Sequence, residues 1–165
     1  MNLLDSTNRI RQNHAVEHAT IHVLSSRYPH QQLMGRSSLL SGFVIYGSLP
    51  TEEVASAAQE ALARLQGGEE QLAVHPWCGT NLAVTGVLAG LAAFATTLGR
   101  PRSRWDRLPL ALIAATIAAI VARPLALTVQ ERVTTTPKVQ GLQVGKVSRQ
   151  GLGELVAHKV TLQRG

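Results

Sequence analysis

Residues 76–99 read PWCGTNLAVTGVLAGLAAFATTLG and contain no charged side chain. As a helix, this run would be about 36 Å long, which exceeds the roughly 30 Å hydrocarbon core of a bilayer. It is rich in Ala, Gly and Thr, which permit close helix contacts in lipid. The run therefore predicts a membrane-spanning helix at about 81–99. A buried helix of a soluble core is the alternative, but such a helix seldom needs so long an apolar stretch.

A second apolar run follows closely. Residues 108–122, LPLALIAATIAAIVA, are uncharged, and a helix of about 22 Å is short for a span. If Arg123 extends its guanidinium to the headgroups, the helix can continue through Pro124 to about residue 129. We interpret Arg123 as such an interface anchor. Residues 76–129 are thus predicted to form a transmembrane hairpin, with helices at about 81–99 and 108–129.

The connection between the two runs is RPRSRWDR, residues 100–107, which carries four arginines and one aspartate. Its charges and its proline predict a turn with Trp105 at headgroup level, so both flanking regions lie on one side of the membrane. Two sequence signals disagree about which side of the membrane the flanking regions occupy. A short basic loop favours the cytoplasm, whereas the charged start MNLLDSTNRIRQNH lacks the apolar stretch of a signal peptide. We expect an integral protein of the cell membrane with its N-terminal domain in the cytoplasm.

The charge of the chain bears on its partners. The 165 residues are 45% hydrophobic and carry a net charge of +6. Because the basic residues are scattered and aromatics are few, we expect them to face anionic lipid headgroups and not nucleic acid. The single cysteine excludes an internal disulfide.

The regions that flank the hairpin predict a small α+β domain. Asp5 or Ser6 can begin a helix that runs to about Ser25. The string FVIYG, bounded by Gly42 and Gly47, has strand composition and predicts one hairpin or two short strands. The string TEEVASAAQEALARLQGG, residues 51–68, predicts a helix that acidic residues open and two glycines end.

The C-terminal sequence LQVGKVSRQGLGELVAHKVTLQRG, residues 142–165, predicts two further strands at about 142–149 and 154–162. The predicted organisation is therefore an α+β membrane protein in three segments. An N-terminal domain occupies residues 1–75, the transmembrane hairpin 76–129, and the C-terminal strands of 130–165 return to the N-terminal domain.

The first predicted helix contains HAVEH, residues 14–18. His14 and His18 are four residues apart and project from one helix face, with Glu17 on the same face. This is the His-x-x-Glu-His arrangement of inverted zincins, in which the histidines bind zinc and the glutamate activates water. We therefore predict zinc on His14 and His18, with Glu17 as the catalytic general base.

A catalytic zinc site needs a third protein ligand and an open position for water. The string HPWCGTN, residues 75–81, offers His75 or Cys78, and the sequence leaves this choice open. The same string predicts a turn before the membrane helix, with Thr80 or Asn81 as the helix cap. The remaining histidines are weaker candidates for ligands: His22, His30 and His158.

These strings also resemble the signatures of a known family. HAVEHATIHVL (14–24) and HPWCGTNL (75–82) resemble paired motifs of the YqhQ-like family of uncharacterised bacterial membrane proteins, approximately His-Gly-Ala-Glu-His and His-Pro-Arg-Cys-Gly-Thr-Ser. The stretch LALTVQERVTTTP (125–137) is similar to a third family segment. This chain has Ala15 and Trp77 where the family has Gly and Arg. The resemblance implies that one site contains His14, Glu17, His18, His75 and Cys78, and it implies no reaction.

Two classes of function remain open. The first is a membrane-anchored zinc metallohydrolase, a peptidase that acts near the membrane surface on a membrane protein or peptide, with GFVIYG (42–47) as an exposed strand edge for the substrate. The second is a non-enzymatic membrane protein, in which the same residues form a structural metal clamp or a hydrogen-bonded core. A thiolate ligand would favour the clamp, since structural zinc sites use cysteine more often than catalytic sites do.

Overall fold

The computed structural model describes residues 3–38, 40–98, 103–152 and 155–165. The chain forms two compact units: unit 1 comprises Met1–His75 and Glu131–Gly165, and unit 2 comprises Pro76–Gln130. Within the described residues, unit 1 contains two α-helices and a four-stranded antiparallel sheet, and unit 2 contains two α-helices. The fold class is therefore mixed α+β, as predicted.

The two helices of unit 1 are α1 (Leu3–Arg27) and α2 (Thr51–Gln66). Helix α1 is longer at both ends than predicted, and it continues to Arg27 because the chain has no glycine or proline before Pro29. Helix α2 has the predicted bounds, with acidic residues in its first turn and Gly67 at its C-cap. A short 3₁₀ helix, Glu70–Ala73, follows α2.

The four strands are β1 (Met34–Ser38), β2 (Gly42–Tyr46), β3 (Leu142–Leu152) and β4 (Leu155–Arg164), in the order β1-β2-β4-β3. The C-terminal strands thus pair with an N-terminal strand: Phe43 lies opposite Val160 and Ile45 opposite His158. Strands β3 and β4 extend beyond the predicted ranges. The prediction that GFVIYG is an exposed edge was wrong, because β2 is paired on both sides.

The core of unit 1 lies between the sheet and the two helices. Phe43, Ile45 and Val160 alternate with less buried residues along β2 and β4, as expected for a sheet with one covered face. Helices α1 and α2 pack on each other and on the sheet. Their contributions to the core include Val16, Leu24, Val54, Leu62 and Leu65.

Unit 2 consists of α3 (Gly79–Ala95) and α4 (Arg104–Val129), and α4 continues into a π-helical turn, Gln130–Thr134. Two bonds show that the helices are antiparallel. At one end, the Asn81 side-chain amide donates to Gln130 Oε1 over 3.1 Å. At the other, the Arg107 guanidinium donates to the Thr97 carbonyl. The two apolar runs therefore form a helical hairpin.

The bounds of the hairpin differ from the prediction in two respects. Helix α3 ends at Ala95 and not at 99, and α4 begins at Arg104, so Trp105 and Arg107 are helical and not part of a turn. Ser103 explains the early start, because its hydroxyl caps the helix by accepting from the Trp105 amide. Residue 99 of the predicted helix and residues 100–102 of the predicted turn lie outside the described residues. Helix α4 passes through Pro124 to Val129, as predicted.

Among the described residues, one helical stretch, Trp105–Thr134, is long and apolar enough to cross a membrane. Helix α3 is apolar but has 17 residues, which gives about 25 Å along its axis. That length is slightly less than the hydrocarbon core of a bilayer. By length, α4 can span a bilayer, whereas α3 is shorter than a typical span.

Candidate metal centre

Four histidines of unit 1 lie side by side. Three of them, His14, His18 and His22, follow one another at four-residue intervals along α1 and therefore share one helix face. The His14 and His18 ring centroids are 4.3 Å apart. His75, which follows the 3₁₀ helix, places its ring 5.8 Å from that of His18 and 4.8 Å from that of His22. The imidazoles thus form a continuous row.

Backbone carbonyl groups orient His14 and His18. His14 Nδ1 is 3.0 Å from the Thr134 carbonyl oxygen, and His18 Nδ1 is 2.8 Å from that of Ala73. A carbonyl oxygen can only accept, so each Nδ1 carries the proton, and in the neutral imidazole Nε2 carries the lone pair. Metal-ligating histidines commonly have this arrangement, in which the second ring nitrogen donates to a carbonyl or carboxylate.

The separation of the two rings also suits a shared ion. A ring nitrogen of His14 and one of His18 lie within 4.8 Å of each other. Two imidazole nitrogens on one tetrahedral zinc are roughly 3.3 Å apart, given Zn–N bonds of about 2.0–2.1 Å. A small side-chain rotation would close this difference. The histidine cluster could therefore bind a metal ion.

His22 lies in the histidine row, although the sequence made it one of the weaker candidates for a ligand. Its Nε2 donates to the Val74 carbonyl over 2.9 Å, so its Nδ1 carries the lone pair when the ring is neutral. Burial and the neighbouring rings of His22 and His18 lower the pKa of His75 to about 4. His75 is consequently neutral at physiological pH, which is the state that ligates metals.

Glu17 is buried and points toward the sheet. Its Oε2 accepts a hydrogen bond of 2.5 Å from the Ser37 hydroxyl of β1. Gly35 makes room for the carboxylate, because a Cβ at that position would lie 2.3 Å from Glu17 Oε1. Strand β1 therefore fixes the orientation of this carboxylate, a feature that the helix pattern alone did not predict.

Cys78 belongs to unit 2, three residues after His75 along the chain. It is the N-cap of α3, and its sulfur accepts from the Thr80 amide over 3.4 Å. The predicted caps, Thr80 and Asn81, are therefore wrong. Asn81 instead donates to the Pro76 carbonyl and to Gln130.

The other two histidines lie elsewhere. His30 is exposed in the loop after α1. His158 is fully buried in β4, and its Nδ1 lies 3.4 Å from the Thr51 hydroxyl oxygen at the start of α2. Burial lowers the pKa of His158, and the charge of Arg149 on the paired strand lowers it further.

Arg11 is a residue of this region that the sequence did not reveal. It lies one turn before His14 on α1 and donates to two carbonyls of the segment after α4. Arg11 Nη2 is 2.9 Å from both the Arg132 and the Thr135 carbonyl oxygens, and Arg11 Nε is 3.2 Å from the latter. These bonds flank Thr134, whose carbonyl orients His14. The three-residue spacing to His14 is a signal that would have placed Arg11 on the same face.

Comparisons with known proteins identify a family whose function is unknown. A model of a domain of unknown function, DUF6391, matches residues 9–147. An uncharacterized protein of Picosynechococcus sp. is 38% identical over 135 residues, which cover 76% of this chain and 65% of the relative. The chain thus spans less than two thirds of that relative's length. No solved structure matches. An uncharacterised family was predicted, and the likeness to YqhQ-like proteins stays an expectation.

Proposed function

The chain belongs to the DUF6391 family, whose function is unknown, and we propose from its own side chains that it is a membrane-anchored zinc metallohydrolase, a peptidase acting near the membrane surface. The observation that carries the proposal is the orientation of His14 and His18 by backbone carbonyls. These bonds fix the rings of half-buried His14 and buried His18, and they place the lone pair of each neutral ring on Nε2. A ligand role explains that arrangement.

Zinc fits this donor set best. Imidazole suits zinc, copper, iron and nickel, and an added thiolate narrows the choice toward zinc. The third ligand is His75 or Cys78. His75 is held neutral by its surroundings, and Cys78 is the only cysteine in the sequence. When bound, the ion would polarise a carbonyl and activate water.

Glu17 is the proposed general base. It lies one residue before His18 on α1, and Ser37 fixes its carboxylate. A base held in one orientation loses less entropy when it accepts a proton from water. The chain enters α3 four residues after His75, so a peptide near the membrane surface is the substrate that we expect.

The bond between Glu17 and Ser37 also favours a second candidate, a non-enzymatic metal clamp. In that case Glu17 ties α1 to β1, and the histidines join α1 to the segments of Ala73 and Thr134. The metal then stabilises the fold and has no open position for water.

Zinc content and hydrolysis separate these readings. Replacing His14 or His18 by Ala should abolish stoichiometric zinc in purified protein, measured by elemental analysis.

Glu17→Gln should retain zinc and the melting temperature but lose hydrolysis of co-expressed membrane proteins by several orders of magnitude. If Glu17→Gln instead weakens zinc binding and no cleavage product depends on Glu17, the clamp is correct. Full zinc in the histidine variants would refute both.

Cobalt substitution identifies the third ligand. A thiolate on Co²⁺ gives an intense near-ultraviolet charge-transfer band, which imidazole does not give. If Cys78 is the ligand, the band should be present and should vanish in Cys78→Ser. If His75 is the ligand, the band should be absent and His75→Ala should lower the affinity for cobalt.

A further inference from the structure

We propose that the cleft between α3 and α4 of unit 2 binds one anionic phospholipid, whose phosphate is held by Arg123. The proposal rests on the membrane anchoring proposed above and is independent of the metal centre. All of the residues involved belong to unit 2.

The cleft lies toward the end of the hairpin where α3 begins and α4 ends. Its volume is about 360 Å³, within the range of small-ligand sites. From α4, Ala119, Arg123 and Leu127 form one stripe at four-residue spacing. The opposite wall of the cleft is formed by residues of α3 and of the segment before it: Pro76, Trp77, Asn81, Leu82 and Thr85.

Arg123 is the sole charged residue in the two apolar runs, 76–99 and 108–130. None of the other residues that line the cleft is acidic. A guanidinium within an apolar surface requires a counter-charge, because burying an isolated ion is costly. A phosphate diester matches the fork of a guanidinium and can accept two hydrogen bonds from it.

The position of Arg123 along α4 suits a lipid headgroup. Val129 ends the helix six residues later, about 9 Å further along the axis. A side chain as long as arginine can reach from this depth toward the interface. Trp77 lies at the same cleft and is 76% exposed, as is typical of indole rings at the headgroup level.

The rest of the cleft fits an acyl chain better than it fits water. Leu82 is 67% exposed, and Leu127 also faces outward. The Asn81 amide donates to Pro76 and Gln130, over 3.1 Å in each case, and so fixes the two helix ends that form the walls. A free phosphate ion would leave the apolar walls uncovered, whereas a phospholipid covers them with hydrocarbon and places its phosphate on Arg123.

Native mass spectrometry of the full chain, released from detergent, tests the proposal. The probes are phosphatidylglycerol and phosphatidylcholine with identical acyl chains. Wild-type protein should retain one phosphatidylglycerol at least about tenfold more strongly than phosphatidylcholine. Arg123→Gln should abolish this preference. Arg107→Gln, which removes the same charge at the opposite end of the hairpin, should keep it.

Several results would overturn the proposal. They are equal retention of both lipids, an unchanged preference in Arg123→Gln, and displacement of phosphatidylglycerol by millimolar inorganic phosphate. Should Arg123→Gln fail to fold, Arg123→Lys keeps the charge but loses the two-pronged contact, and it should reduce the preference. Recovery of wild-type protein without detergent would refute the anchoring itself, whereas unchanged zinc content in Arg123→Gln shows that the metal centre is unaffected.

Discussion

Arg11 shows how a residue can orient a candidate ligand through the backbone. Its guanidinium donates to the carbonyl oxygens of Arg132 and Thr135. Thr134 lies between these two residues in the chain. The Thr134 carbonyl accepts from His14 Nδ1 and so sets the ring orientation and the tautomer. Arg11 is therefore a positioning residue for His14.

Replacing Arg11 by Gln should lower zinc affinity about 10–100-fold, the usual effect of removing an outer partner of a ligand. The measurement is competition with a chromophoric chelator. Arg9→Gln removes the same charge two residues earlier on α1 and should change the affinity by less than about twofold. Equal losses in both variants would mean that Arg11 acts through net charge, and no loss in either would mean that the Thr134 carbonyl does not orient a ligand.

At the scale of elements, local sequence signals predicted some parts well. Helix α2 has the predicted bounds because its acidic start and its terminal glycines are contiguous signals. The buried face of Val54, Ala58 and Leu62 follows from helical periodicity alone. The existence of β3 and β4 was also predicted, although their ends were not.

Features that depend on distant pairing were not predictable in this way. The return of the C-terminal strands to the N-terminal domain was predicted, but the sequence of β2 does not show that β4 pairs with it, since the two strands are more than one hundred residues apart. The inclusion of His22 in the histidine row depends on the Val74 carbonyl. The orientation of Glu17 depends on Gly35 and Ser37 in the next element. In each case the determining partner belongs to another element.

Strand β4 carries a buried histidine that makes the sheet sensitive to acid. Burial and Arg149 lower the pKa of His158 below its ordinary value of 6.5. The unfolded chain therefore binds a proton more readily than the folded chain, and the stability that neutral His158 contributes above pH 6.5 is lost as the pH falls below it. His75, with a pKa of about 4, acts in the same direction in metal-free protein.

We expect the melting temperature of the metal-free protein to fall as the pH is lowered from 7 toward 4. His158→Gln should flatten this dependence by several degrees, because one of the two depressed histidines is removed. The measurement is a thermal melt in detergent at a series of pH values. His30→Gln, at an exposed position, should leave the dependence unchanged, and an equal slope in all three proteins would contradict the assignment to His158.

At the scale of the whole molecule, strand pairing in the sheet requires the chain between the paired strands to cross a membrane an even number of times or not at all. Strand β2 precedes the hairpin, β4 follows it, and the two strands pair with each other. A sheet lies on one side of a bilayer, so the chain between these strands crosses an even number of times. If α4 spans the membrane, α3 must span it too, although its 17 residues are fewer than a typical span needs.

Cysteine labelling tests this topology. Single cysteines at Ser103 and Ser148, in a Cys78→Ser background, mark the turn of the hairpin and the sheet. An impermeant maleimide applied to intact cells should label one of these positions and not the other. Labelling of both from the same side would exclude two antiparallel spans. Labelling of both after membrane permeabilisation is the control for accessibility.

The pairing of β2 with β4 also imposes an order of events during synthesis. Phe43 and Val160 are neighbours in the sheet, yet the ribosome makes Val160 on the order of 10 s later, at about 5–20 residues per second. Both helices of the hairpin have been made in that interval, while one edge of β2 still lacks its partner strand. The hairpin is thus complete before the sheet can close, and unit 1 reaches its final fold last, on a chain whose two apolar helices have already been made.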